Sequence, residues 1–95
     1  MNEQYYIVRG DRSGVFFGKI KSRTGQEVDM EHARCIWYWD GAATLLQMAN
    51  EGVSNPDECK FTVYVDALTI VDAIEIIPCT DAAVRSILGV PEWRR

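Results

Sequence analysis

The stretch R-C-I-W-Y-W-D-G-A at residues 34–42 limits what this 95-residue chain can fold into more than any other. Its β-branched and aromatic composition reads as a strand that ends in three adjacent rings, Trp37, Tyr38 and Trp39. Successive side chains of a strand point to opposite faces, so the rings fall on both sides and at least one of them needs a second body to cover it. Two of the three are expected in the interior, with Trp37 and Trp39 on one face and Tyr38 reaching water from the other. The alternative is that Trp39, at the strand end beside a helix start, stacks a flat ligand, with Arg34 or Arg9 supplying charge.

The segments around this stretch specify the fold class. Residues 4–9 (Q-Y-Y-I-V-R) and 15–21 (V-F-F-G-K-I-K) are strand-type runs joined by G-D-R-S-G, a hairpin signal. S-R-T-G supplies the next turn, E-V-D-M-E a third strand, and A-R-C-I-W-Y-W a fourth. The period then changes: Ala42, Leu45, Leu46 and Ala49 follow helical spacing, with Asp40 as the expected N-cap and Gly52 as the stop. After a loop holding Asn55-Pro56-Asp57, the runs K-F-T-V-Y-V and T-I-V-D-A-I-E-I-I return to β composition, with Asp72 marking a bulge or bend and Pro78 the end. Thr80 caps a second helix in which Val84, Ile87 and Leu88 share a face, closed by Gly89 and Pro91. The order β-β-β-β-α-β-β-α predicts a single α+β domain over 1–95, a curved and mostly antiparallel sheet of about six strands packed by two helices.

Composition narrows the function. A formal charge of −4 excludes a basic field for nucleic acid polymers or anionic membrane, although a local basic pocket remains open to it. The three cysteines, Cys35, Cys59 and Cys79, are odd in number and lack C-x-x-C spacing, which fits neither a disulfide framework nor a four-ligand zinc site and points to a reducing cytoplasm. Neither a membrane-spanning run nor a signal-peptide pattern is seen.

Five separated blocks, G-V-F-F-G at 14–18, W-Y-W-D-G-A at 37–42, C-K-F-T-V at 59–63, E-I-I-P-C-T at 75–80 and S-I-L-G-V-P-E-W at 86–93, resemble a family of small uncharacterised proteins encoded by tailed bacteriophages and prophages. The resemblance spans nearly the whole chain and carries no chemistry to particular residues. It implies an accessory protein in the cytoplasm of an infected bacterial host, acting by binding a host protein or a small molecule of host defence.

The residues themselves favour binding over catalysis. The one histidine, His32, lies in a polar stretch without an adjacent nucleophile, the carboxylates are scattered, and no P-loop, G-x-G-x-x-G, H-E-x-x-H or metal cluster occurs. No enzyme and no cofactor are therefore expected. Gly41 opens the helix after Asp40, where free N–H groups would receive an anion, against the simpler reading of Asp40 as an ordinary cap. Lys19 and Lys21, alternating with Ile20, read as one solvated face of an edge strand, whereas Arg9, Arg12 and Lys60 sit at element ends, where sites are built. Arg34 stands just upstream of the aromatic run, and Trp93 and Arg95 occupy a tail that docks on its own domain or on a partner subunit. The expected ligand contacts are thus Arg9, Arg12, Arg34, Trp39, Gly41, Lys60, Trp93 and Arg95. The function expected is sequestration of a small anionic, nucleotide-type ligand by a homo-oligomer. The alternatives are a protein-interaction module acting on a host protein and a minor virion component.

Overall fold

The computed structural model describes residues 4–95. Six strands and two helices follow in the order β1 (Tyr6–Gly10), β2 (Val15–Thr24), β3 (Glu27–Tyr38), α1 (Leu45–Glu51), β4 (Lys60–Phe61), β5 (Leu68–Ile70), β6 (Ala73–Pro78) and α2 (Asp81–Leu88), with a 3-10 turn at Pro56–Glu58. Every pairing between named strands is antiparallel, in the order β4-β3-β2-β1-β6, and β5 pairs with β3 beside β4. This is the α+β class that the sequence predicts, with three boundaries placed differently.

The first difference is that the third and fourth expected strands are one strand, β3, of 12 residues. Phe17 pairs with Arg34 and Lys19 with Glu31, so Gly18 alone faces both His32 and Ala33 across a bulge. His32 takes a φ of 49° there. A Cβ on Gly18 would lie 2.8 Å from the Ala33 Cα, so only glycine lets the bulged backbone come this close. The polar E-H-A stretch breaks the alternation of the sequence without breaking the strand.

The second difference lies at Asp72. Residues 60–70 run along the free edge of β3, through Ile36–Phe61, Ala33–Val65 and Val28–Ile70. Residues 73–78 instead pair with β1, on the far side of the sheet. Only Val71 and Asp72 join these two edges, so the sheet must curl until it closes at that end. The Asp72 carboxylate fixes the join by accepting from the backbone N–H of Arg12 (2.8 Å) and Ser13 (3.1 Å) and from the Ser13 hydroxyl (2.6 Å).

Curling gives the sheet two buried faces and the protein two cores. Val8, Val28, Met30, Ala33, Ile70 and Ala73 fill the closed end. Tyr5, Ile7, Phe17, Ile36 and Phe61 face the other way, against Met48 and Ala49 of α1 and Ala83 and Ile87 of α2. β1 shows the alternation directly: Ile7 enters one core and Val8 the other, both fully buried.

The first helix starts later than expected. Thr44, not Asp40, is its N-cap, accepting from the Gln47 N–H at 3.1 Å, while the Gln47 side chain accepts from the Ala43 N–H at 2.8 Å. This is close to a capping box, and T-L-L-Q at 44–47 carried its signature. Asp40 instead accepts from the Asn55 side chain at 2.9 Å. Thr80 caps α2 as predicted, receiving the Ala83 N–H at 3.1 Å.

Candidate functional site

The candidate site is built where the sheet has opened out past its closed end. The face of β3 that sends Val28, Met30 and Ala33 into the closed core carries Cys35 and Trp37 beyond it. Trp37 therefore has no core to enter and is 61% exposed. β4 lies next to it with Tyr38 opposite Lys60, and the tail adds a third row: Glu92 bridges Phe61 in parallel and the Trp93 N–H donates to the Phe61 carbonyl at 2.8 Å. Phe61 points into the core, so Lys60 points out, onto the face of Trp37 and Trp93.

The three side chains form a cross-strand ladder. The Trp37 and Trp93 rings lie 5.1 Å apart at 30°, and the Lys60 ammonium sits 5.6 Å from one and 5.5 Å from the other, both within cation–π range. Tyr38, the next residue of β3, is 49% exposed. Within the tail, Arg94 pairs with Glu92 at 2.7 Å, and Arg95 is exposed at the end.

Arg34, one of the expected ligand contacts, lies beneath this surface and is 1% exposed. Its guanidinium donates to the carbonyls of Thr62 (2.9 Å), Ile87 (3.1 Å), Val90 (3.1 Å), Phe61 (3.2 Å) and Pro91 (3.5 Å) and to the Tyr64 hydroxyl (3.3 Å). It also lies 4.6 Å from the Tyr64 ring and 5.4 Å from that of Phe61. The cation satisfies carbonyls at the C-terminal end of α2 and ties that end to the strand carrying Lys60. All its donor capacity is spent inside the protein. It is a scaffold residue here, not a ligand clamp.

The aromatic run also resolves differently from expectation. Trp39 is the partly buried ring: it packs against the helix-side core and donates its Nε1–H to the Ala42 carbonyl at 3.1 Å. Trp37, expected inside, is the ring in solvent. Alternation put Trp37 and Trp39 together, but β3 ends at Tyr38, and the turn that follows sends Trp39 elsewhere.

The other expected contacts are scattered. Arg9 makes a surface ion pair with Glu75 at 3.5 Å, and Arg12 sits in the β1–β2 turn held by Asp72, both beside β6 at the far edge from β4. Gly41, at φ 95°, accepts from the Ser54 N–H (3.2 Å) and hydroxyl (3.3 Å); a Cβ there would meet the Ser54 nitrogen at 2.5 Å. Its role is this close approach of two loops. Of the expected set, the fold gathers Lys60 and Trp93, with Arg95 nearby in the tail. Trp37 is the member that sequence reasoning missed.

Burial pushes the thiols of Cys35 and Cys59 up, and that of Cys79 up to about 12. The His32 ring is stacked on Tyr64 at 4.2 Å. Among the described residues no group of His, Cys, Asp or Glu has the arrangement to hold a metal ion. A groove of about 350 Å³ beside Leu46, Ile77 and Pro78 and one of about 260 Å³ beside Lys21, Asp29 and Leu68 are shallow, and neither is lined by arginine.

The chain belongs to a family described as a domain of unknown function (DUF6948), whose model matches residues 3–87. No curated protein and no solved structure matches it. The match ends before Trp93, so one of the two ladder indoles lies outside the segment that defines the family.

Proposed function

We propose that this chain is a non-catalytic binding protein that takes a small anionic, nucleotide-type ligand on the Trp37–Lys60–Trp93 face and acts by holding it. The observation that carries this reading is Trp37: an indole 61% exposed, fixed on a strand and backed by a second indole. Stacking a base on the part of that ring open to solvent contributes about 1–3 kcal/mol, and the Lys60 ammonium beside it offers a cation to a phosphate of the stacked ligand. The raised thiols and the stacked histidine favour binding over turnover.

The ladder is open on its outer side, so tight retention calls for a second wall. A second copy related by a two-fold axis brings the same face and the tail arginines Arg94 and Arg95 to the other side of the ligand. As an accessory protein of the phage type that the sequence resembles, it would act in the cytoplasm of an infected bacterium, where abundance and affinity suffice for sequestration. The test is a thermal-shift panel of mono-, di- and cyclic nucleotides. A ligand at a hundred times its Kd raises stability by about 2.7 kcal/mol, and no shift with any member overturns the proposal.

A protein-interaction module is the second reading, favoured by Val71, Ile74 and Leu46, large apolar side chains left exposed along and beside the free edge of β6. A single stoichiometric bacterial partner recovered by wild type and lost with Ile74→Glu would favour it over sequestration.

A further inference from the structure

We infer that Lys60 is the specificity-determining residue of this face: the two indoles form a cation seat, and the chain fills that seat with its own ammonium, so the face excludes cationic ligands and is turned toward anionic ones. The inference rests on the ladder being a binding face, and it adds which charge the face accepts.

The seat is defined by geometry. The two rings lie 5.1 Å apart at 30°, and one ammonium within 5.6 Å of both centroids occupies the position an external cation would need. The backbone on each side of Lys60 is pinned. Cys59 is buried and its Sγ accepts from the Asp40 N–H at 3.4 Å, while Phe61 is fully buried and over the Arg34 guanidinium. The stem therefore leaves from a fixed point in a fixed direction.

The ammonium is also uncommitted to any carboxylate. The nearest acid along the tail, Glu92, is taken by Arg94 at 2.7 Å, and among the described residues Lys60 has no ion-pair partner. A π-face attracts a cation without using its N–H donors, so those donors stay directed to solvent and to an arriving phosphate or carboxylate. A cationic ring or quaternary ammonium meets both an occupied seat and like charge.

The test compares wild type with Lys60→Met and Lys60→Arg. Tryptophan fluorescence is titrated with tetramethylammonium chloride and with adenosine monophosphate, each against potassium chloride at matched ionic strength. Lys60→Met, similar in length and uncharged, empties the seat: it should gain tetramethylammonium binding by about fivefold or more over wild type and lose nucleotide binding by a similar factor. Lys60→Arg refills the seat and should gain no tetramethylammonium binding. Absence of a gain in Lys60→Met, or an equal gain in Lys60→Arg, overturns the inference whatever the nucleotide does. A gain confined to Lys60→Met with no nucleotide response in wild type sustains the cation seat and sinks the base-stacking proposal, which keeps the two failures apart.

Discussion

Arg34 on β3 and Lys60 on β4 are one strand apart, and each lies over two aromatic rings: Phe61 and Tyr64 for the arginine, Trp37 and Trp93 for the lysine. The arginine sits on the helix-side face, where α2 covers it and hands it the carbonyls of Ile87 and Val90. The lysine sits on the opposite face, beyond the reach of the closed end, where among the described residues no helix covers it and its neighbours are the Trp37 and Trp93 rings. Planar chemistry with many donors suits the first position, because a buried cation without a carboxylate must be satisfied by oriented dipoles. A compact ammonium on a flexible stem suits the second. Cation–aromatic contact alone therefore does not mark a site. What separates scaffold from recognition surface is whether the donors are already spent.

The largest effect should come from breaking the buried member. Arg34→Ala orphans several buried carbonyls at once and should destabilise the fold by about 3 kcal/mol or more in urea unfolding. Arg34→Lys keeps the charge but not the fork and should still cost about 2 kcal/mol. Trp37→Ala sharpens the contrast from the other side: loss of about 1 kcal/mol of stability through the Trp93 contact, with loss of ligand response read by fluorescence. A Trp37→Ala chain as unstable as Arg34→Ala would erase the distinction.

Thiol labelling gives a smaller and more local reading of the same contrast. With its pKa pushed up to about 12 by burial, Cys79 should react with a disulfide reagent only through opening of the helix-side core. Arg34→Lys should speed that reaction, and Trp37→Ala should leave it near the wild-type rate.

The smallest effect concerns pH and lies away from both cations. Asp72 is held below its ordinary 3.8 by the Ser13 hydroxyl and then the Arg12 N–H, and Asp29 below the same value by the hydroxyls of Thr69 and Ser22. A carboxylate whose folded pKa is depressed stabilises the fold above its unfolded value, and that contribution is lost as pH falls through the folded value. Acid should therefore loosen the closed end below about pH 4. Asp72→Asn should lose stability less steeply than wild type as pH falls below about 4, as followed by circular dichroism.

Much of the fold was legible in short-range pattern. The β1–β2 hairpin, Thr80 as a cap and the two helical periods are local facts, set by turn residues, capping hydroxyls and spacing. The continuity of β3 through His32 was not legible, because it depends on Gly18 across the sheet. The closure of the sheet at Asp72 was only half legible: the polar interruption was visible, but its hydrogen bonds come from residues 12 and 13. The site suffered most. Lys60 and Trp93 stood out as residues at element ends, yet their meeting with Trp37 depends on the registers of β4 and the tail on β3, which no local window contains. Arg34 misled for a related reason: an arginine beside aromatics reads the same in sequence whether α2 covers it or not.

The most direct test uses the three indole N–H signals in a proton–nitrogen NMR titration with the nucleotide that gives the largest thermal shift. Trp37 and Trp93 sit in the ladder, while Trp39 is hydrogen-bonded to Ala42 in the helix-side core and serves as an internal control. The Trp37 and Trp93 signals should move together and saturate with one Kd, while Trp39 stays in place. Movement of Trp39 alone, or of none of the three while the ligand still stabilises the protein, would contradict the assignment of the binding face.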